Sequence, residues 1–194
     1  MDKDGLLRSI AETGYNVGFG AKKHFATYDI VEKLPGWIGF VSLAIGIFSL
    51  VFEQLSAKVP SACLAVAGVA GLYISLYDHR KADYERAGIE LTRIFNDLRT
   101  LYRQVQAGAE VGASQATLRT LEDVYYSTGI SKQIVFSDWY AHYKFFVQMQ
   151  IDWIDEQKNF TWRDRAPLSF ILVTGLVAAC LIAFAVCAAL GCLR

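Results

Sequence analysis

Two short basic clusters are the side chains in this sequence best suited to bind a ligand. They comprise Lys22, Lys23 and His24 before the first long apolar stretch, and His79, Arg80 and Lys81 after the second. Cationic side chains beside a bilayer attract phosphate, so either cluster could contact lipid phosphates or bind an anionic signal. The alternative is that both clusters only fix the orientation of the chain in a membrane.

The other residues that support chemistry do not form a recognisable site. His24, His79 and His142 have no helical i, i+4 pairing and no neighbouring cysteine, so they do not predict a metal site. The carboxylates Asp152 and Asp155 are typical of a solvated helix face. The glycine-rich run near the N-terminus lacks the spacing and the preceding strand of a phosphate-binding loop. We therefore expect no enzymatic activity, no cofactor and no metal.

The sequence contains three long stretches without a charged residue, at residues 34–52, 59–77 and 166–193. The two basic clusters flank the first two of these stretches, which therefore determine where the clusters lie. A helix rises about 1.5 Å per residue, so about 20 apolar residues cross a hydrocarbon core of about 30 Å. All three stretches meet that length. The sequence predicts an all-α integral membrane protein with a transmembrane helical hairpin, long cytoplasmic helices and a third, C-terminal transmembrane helix.

Four segments follow from this prediction. They are a cytoplasmic, interfacial helical segment (1–33), the hairpin (34–77, with spans 34–52 and 59–77), a cytoplasmic helical module (78–165) and the third transmembrane helix (166–193). Pro35 and Gly36 predict a break or kink where the interfacial helix turns into the first span.

Basic residues near the segment ends predict the orientation of the chain. Those on the predicted cytoplasmic side are Lys22, Lys23, Lys33, Arg80, Lys81, Arg86, Arg93, Lys158, Arg163 and Arg165. Only Lys58 and Arg194 lie on the other side. The N-terminus and the module are therefore expected in the cytoplasm and the C-terminus outside. The chain has 19 basic and 19 acidic residues, so no global field predicts direct binding to nucleic acid.

Helical periodicity continues after the second span. Apolar residues at three- and four-residue spacing predict one long helix that continues the span, and they include Tyr84, Ala87, Leu91, Leu98 and Val105. A turn and a short helix ending near Gly129 are expected next. The aromatic stripe from Phe136 to Trp153 has two interpretations, the core of a helical bundle or a surface for a partner or for self-assembly.

The order of these elements resembles a known family. The segment Ala21-Lys22-Lys23-His24-Phe25 precedes a two-span hairpin, and a long helix with His79-Arg80-Lys81, Tyr84 and Gly88 follows it directly. This arrangement resembles the SLATT superfamily, the two-transmembrane effector domains associated with nucleotide-second-messenger and SLOG-domain systems of bacteria. The resemblance covers roughly residues 15–160. The third span is similar to that of subfamilies with an additional C-terminal helix.

This resemblance implies a role in antiviral defence by abortive infection. Such proteins are proposed to form pores in the bacterial inner membrane that kill or arrest a cell infected by phage. It also implies a partner encoded nearby, such as a nucleotidyltransferase, another nucleotide-signal-generating enzyme or a reverse transcriptase. No residue inherits a catalytic role. The alternative function is a membrane-anchored helical interaction module that recruits a soluble partner without forming a pore.

A pore would require several copies, because one chain with three spans cannot enclose an aqueous channel. We therefore expect a homo-oligomer in contact with membrane lipids. The spans contain no charge, which predicts a hydrophobic or hydroxyl-lined lumen with Ser42, Ser49, Ser75 and Thr174 as candidates. Rings formed by Glu53 at the outer mouth or by Asp78 are the charged alternatives.

Overall fold

The computed structural model describes residues 2–189, and these residues contain no strand. The α-helices are α1 (Lys3–Phe48), α2 (Lys58–Ser75), α3 (Lys81–Gln106), α4 (Val111–Thr128), α5 (Ser137–Gln148), α6 (Asp152–Lys158) and α7 (Leu168–Ala189). Short 3-10 turns lie at Glu53–Ser56 and Asp78–Arg80. The chain divides into two compact units, Met1–Lys158 and Asn159–Arg194. The predicted all-α fold is confirmed.

Helix α1 is the longest element and serves two parts of the molecule. Its 46 residues extend over about 69 Å, and Asp2 caps its first turn by accepting a hydrogen bond from the Gly5 N–H at 2.9 Å. From Leu6 to Val31 one face of the helix is buried against α3, α4, α5 and α6, and this part of α1 together with those four helices is called the module from here on. The remainder forms the first apolar span. One helix therefore contributes both to the module core and to the membrane segment.

Of the break or kink expected at Pro35, the break is wrong, because α1 continues through this residue, and the kink stays a prediction. Proline lacks an N–H, so the carbonyl of Val31 loses its usual helical partner, but the hydrogen bonds on either side persist. Ending the helix here would instead leave several N–H and C=O groups without intrahelical partners next to hydrocarbon. Continuation leaves fewer polar groups unpaired.

Two helical runs are long and apolar enough to cross a membrane, Lys3–Phe48 and Lys58–Gln106. The second run is α2 followed by α3, joined through the 3-10 turn after Tyr77, so α3 extends the second span as expected. Only 6% of the positions in the apolar window of each run are buried. The two spans thus present most of their surface to the surroundings.

The module is built around the contact between α1 and α3. Helix α1 packs most extensively on α3 and also on α5, α6 and α4. The predicted apolar stripe of α3 is buried throughout, from Tyr84 to Val105. Of the aromatic stripe, Phe145 and Trp153 lie in this core, whereas Phe136 and Tyr143 are exposed. The core interpretation is therefore right for part of the stripe only.

Small residues on α1 allow large aromatic rings to approach its backbone. A Cβ atom at Gly14 would lie 2.2 Å from Cη2 of Trp153, and one at Gly18 would lie 2.8 Å from Cδ2 of Phe95. The glycine-rich run near the N-terminus is therefore a packing feature of the module core.

The second unit contains α7, a helix of 22 residues that begins directly after Pro167. Its apolar part Leu168–Ala183 is shorter than the two runs above, and the third span stays a prediction. Its described side chains are mostly exposed. Residues 190–193 of the predicted third span lie outside the described residues.

We predict that Gly14→Ala lowers the free energy of unfolding by about 1–3 kcal/mol, because the added methyl group overlaps the indole of Trp153. The matched control is Gly20→Ala, whose Cβ would be 3.7 Å from Cδ1 of Leu91, an ordinary contact. That variant should be neutral or slightly stabilised, since alanine favours helix. Denaturant unfolding in detergent micelles measures both. Equal stability of the two variants would contradict the packing described.

Candidate functional site

The module and the spans meet in a small apolar cluster, here called the junction. Its buried residues are Val31 of α1, Ile74 and Tyr77 at the end of the second span, Tyr84 of α3 and Ile134 from the segment before α5. Tyr28, Ile30, Ile38 and Ile130 pack around it. Elements from both sides of the membrane boundary therefore share one core.

His24 ties α1 to the segment that precedes α5. Its Nε2 accepts a hydrogen bond from the Ile130 N–H at 3.0 Å, so Nδ1 carries the proton and donates to the Gly20 carbonyl at 2.7 Å. The ring is 5% exposed. Burial lowers the pKa of His24, the hydrogen bond to Gly20 partly opposes this, and the charge of Lys23 lowers it further. In this structure, therefore, the imidazole is not available to a lipid phosphate.

Three further hydrogen bonds fix the same segment, and two of them connect it to the helices. Thr27 on α1 donates to Oε1 of Gln133 at 2.5 Å, and the Gln133 amide donates to the Ile130 carbonyl at 2.7 Å. From the other side, the Tyr84 hydroxyl donates to the carbonyl of Lys132 at 2.6 Å. The segment thus bridges α1 and α3 where both helices reach the membrane boundary.

The second basic cluster lies at the edge of the junction. Lys81 forms an ion pair with Glu32 of α1 at 2.5 Å and approaches Asp78 at 3.4 Å. The hydrogen bond with Glu32 is the main cause that raises the pKa of Lys81. The Arg80 guanidinium lies 6.0 Å from the centre of the Tyr84 ring, and His79 is exposed. This cluster therefore joins the start of α3 to α1 by charge.

A group of charges lies beside the junction on α1 and α5. Asp29 pairs with Lys144 through one carboxylate oxygen and with Lys33 through the other, at 2.6 Å. Burial alone would raise the pKa of Asp29, but the hydrogen bonds and charges of Lys144 and Lys33 outweigh it and lower that pKa. Lys22 is half-buried, and burial together with the charge of Lys144 lowers its pKa.

Lys23, the remaining member of the first cluster, pairs with Asp138 of α5 at 2.7 Å. The first cluster therefore separates into three environments. His24 is buried and hydrogen-bonded, Lys23 forms an ion pair with α5, and Lys22 lies near Lys144.

An apolar cleft opens beside the junction, and we call it the junction cleft. Its volume is about 640 Å³. The lining residues are Asp29, Ile30, Lys33, Leu34, Ala70, Tyr73, Ile74, Ile134, Val135, Phe136, Trp139 and Tyr140. They come from α1, from α2, from the segment before α5 and from the start of α5. The cleft therefore crosses the boundary between membrane and module.

The predicted pore-lining residues occupy several places along the chain, with Ser75 and Asp78 next in sequence to the junction residues Ile74 and Tyr77. Ser49 and Ser75 donate hydrogen bonds to carbonyls of their own helices, and Thr174 on α7 does the same. Ser42 is half-buried on α1. Glu53 is exposed in the turn between the spans, and Asp78 is exposed after the second span. The two carboxylates are therefore at opposite ends of the hairpin.

The hairpin and module match a known family. The model for SMODS and SLOG-associating 2TM effector domain 6 matches residues 1–174. The chain belongs to this family. No curated protein and no solved structure matches the chain significantly. The match includes the whole junction and both apolar runs, and it extends beyond the segment on which the SLATT resemblance rested.

Membership describes the chain as a two-transmembrane effector domain, in agreement with the two long apolar runs. Most of α7 lies beyond the matched residues. Within the part of the chain that the structure describes, no group of three or more His, Cys, Asp or Glu side chains could hold a metal ion. The junction of this SLATT domain consists of contacts between the two apolar helical runs and the helical module.

Sequence reasoning included Phe136, Trp139 and Tyr140 in the aromatic stripe but missed the polar partners Gln133 and Lys144. Asp29 and Lys33 are four residues apart on a helix, which is a readable signal for an ion pair. The partner Lys144 is 115 residues from Asp29 in the sequence, and no local pattern points to it.

We predict that Asp29→Asn destabilises the protein by about 3 kcal/mol, because it leaves the Lys144 ammonium, only 13% exposed, without its counter-charge. The matched control is Asp83→Asn, which removes exposed pairs with Arg80 and Arg86 and should cost less than about 1 kcal/mol. Denaturant unfolding measures both. Similar losses in the two variants would show that the Asp29 pair is not structurally special.

Acid should loosen the junction through His24. Because its folded-state pKa is lowered from 6.5, the unfolded chain binds more protons below that pH. The stabilisation by neutral His24 is therefore complete above about pH 6.5 and is lost as pH falls towards the folded-state pKa. His24→Gln keeps an acceptor for the Ile130 N–H and cannot titrate, so its stability should fall less between about pH 7 and pH 5.

The control for this titration is His142→Gln, because burial also lowers the pKa of His142. Each substitution should remove only its own share of the pH dependence. An unchanged slope in the His24 variant would contradict the assigned role of this ring.

Proposed function

We propose that this SLATT protein is a membrane effector of bacterial antiviral defence that oligomerises and permeabilises the inner membrane when its cytoplasmic module receives a signal. The observation that carries the proposal is the continuity of α1. Between Leu6 and Val31 this helix forms part of the module core, and after Pro35 the same helix is the first span. A rearrangement of the module therefore moves a membrane helix directly.

The spans support assembly of several copies. Only 6% of the positions in each apolar window are buried, so the faces of both spans are open to other helices. Gly39, Gly46 and Gly68 have no atom within 4 Å of a Cβ built on them. Uncovered small residues let helices from neighbouring chains approach closely, which favours association in lipid.

The junction supplies the coupling. The ion pair between Lys81 and Glu32 and the buried cluster around Tyr77 connect the end of the second span to α1. We propose that the signal acts by loosening or re-forming these ties. It would come from a partner encoded nearby, either a soluble protein or an enzyme that generates a nucleotide signal. The proposed orientation places the module in the cytoplasm, where such a partner is found.

The proposal makes no use of catalysis and none of a cofactor. The assembled lumen would be lined by apolar side chains and by the hydroxyls of Ser42, Ser49, Ser75 and Thr174. Such a lumen passes ions only when it is wide enough to stay wet.

Membrane potential and dye uptake in bacteria test the proposal. The chain is induced alone and then with the product of its neighbouring gene. We expect depolarisation when the partner and its trigger are present. An intact potential, with the protein confirmed in the inner membrane and the trigger supplied, would favour a tethered interaction module that recruits a soluble partner.

We predict that Gly46→Leu abolishes depolarisation and reduces cross-linked oligomers without unfolding the chain. Nothing lies within 4 Å of a Cβ at this position, so the larger side chain is accommodated in one chain and obstructs only a neighbour. Gly46→Ala is the matched control and should retain most activity. If the Gly46→Leu protein still oligomerises and depolarises cells, the face of the first span that carries Gly46 is not an interface of the assembly.

The charged alternatives for the lumen are tested by Glu53→Gln and Asp78→Asn, alone and together. If either carboxylate forms a ring at a pore mouth, its neutralisation should lower cation-over-anion selectivity in planar bilayers. Asp78 also lies 3.4 Å from Lys81, so the stability of that variant is measured in parallel. Unchanged selectivity in the double variant would exclude both rings.

A further inference from the structure

The junction cleft opens at the depth of the membrane interface. Lys33 and Leu34 mark the start of the first span, and Ala70 lies seven residues, or about 10 Å of helix, before Tyr77 at the end of the second. The cleft therefore reaches from the level of the headgroups into the level of the acyl chains. Lipid is present at this depth whenever the spans lie in a bilayer.

The lining of the cleft selects for an apolar occupant with a charged end. Apart from Asp29 and Lys33, its walls are aliphatic and aromatic. Such walls offer few donors to the phosphates, sugar and base of a nucleotide. Trp139 and Tyr140 line the cleft beside the charges, and these residue types are enriched where membrane meets water.

Charge at the mouth favours an anionic headgroup. Asp29 pairs with both Lys33 and Lys144, so one carboxylate faces two ammonium groups and a positive charge is left over. The Lys33 side chain is 62% exposed, which leaves its ammonium accessible to a phosphate. Burial and, to a smaller extent, the charge of Lys144 lower the pKa of Lys22, which places a third lysine close to this group.

The size of the cleft disfavours a helix from a second copy. A helix about 10 Å across occupies about 420 Å³ for each turn of 5.4 Å, so a cleft of about 640 Å³ holds only about one and a half turns. An extended acyl chain requires much less width. Phe136 forms part of the wall of the cleft, and its side chain is 59% exposed. Its φ of 67° is rare for a residue with a side chain.

We propose that the junction cleft binds an anionic phospholipid, with an acyl chain between α1, α2 and the start of α5 and the phosphate at Lys33. The bound lipid would contact both spans and the segment held by His24 and Gln133. The proposal needs the spans to lie in a bilayer with this end towards an anionic leaflet. It does not need a pore, so it and the proposed function can fail separately.

The test uses the full-length protein in nanodiscs of phosphatidylcholine mixed with phosphatidylglycerol. After gentle detergent extraction, native mass spectrometry counts the lipids retained by each chain. Ala70→Trp fills the cleft from an exposed position and should reduce retained lipid about five-fold or more. Ala65→Trp, exposed on the same helix but outside the cleft, is its matched control and should retain lipid as the wild type does.

The headgroup is tested by Lys33→Gln, which should lower the preference for phosphatidylglycerol about five-fold while leaving phosphatidylcholine bound. Arg86→Gln, an exposed cation on α3 outside the cleft, should leave the preference unchanged. Melting temperatures confirm that each variant is folded. Equal lipid retention by wild type and Ala70→Trp would overturn the proposal. So would disulfide cross-linking of Val135→Cys to a second chain with no lipid retained.

Discussion

Hydrocarbon leaves backbone N–H and C=O groups without water, so a chain that enters it must keep its hydrogen bonds within the helix. Helix α1 meets this constraint by crossing the boundary without a break, although Pro35 removes one of its donors. The rest of the structure follows from that continuity. The buried face between Leu6 and Val31 gathers α3, α5 and α6 around the same helix that continues into the membrane.

The junction connects the continuous helix α1 to the second span and to α3. Packing around Tyr77 and Tyr84 joins the second span to α3, and the Lys81 pair with Glu32 joins both to α1. These contacts are of different physical kinds, so they respond to different inputs. Apolar packing changes when helices shift, whereas the ion pairs and the neutral His24 respond to charge and acidity. The junction cleft adds a surface at which lipid composition could act on the same contacts.

The helical secondary structure and the buried face of α3 were predictable from sequence, because apolar residues at three- and four-residue spacing are a local signal. The stripe from Tyr84 to Val105 is buried as the pattern indicates. The path through Pro35 was not predictable by the same means, since the preference of proline for helix ends is local whereas the need to keep backbone groups paired comes from the membrane. The part of the aromatic stripe that stays exposed, including Phe136, depends on how α5 turns against α1.

The candidate site was only partly readable for a similar reason. Both basic clusters were found from their position beside the spans, and the structure places Lys81 and His24 in or next to the junction. Their partners are distant in sequence: His24 bonds to Ile130, and Asp29 to Lys144. Pairings over such separations depend on the packing of α5 and its preceding segment, which no local spacing specifies.

Continuity of α1 is the central claim, and a distance across Pro35 tests it most directly. Spin labels at Glu12→Cys and Ile47→Cys, both exposed positions, are placed in a background without native cysteines. Double electron–electron resonance then measures their separation in nanodiscs. One unbroken helix predicts a narrow distance distribution centred at about 52 Å. A distribution centred at about 40 Å, as for a helix that turns sharply at the membrane surface, would contradict the continuity of α1.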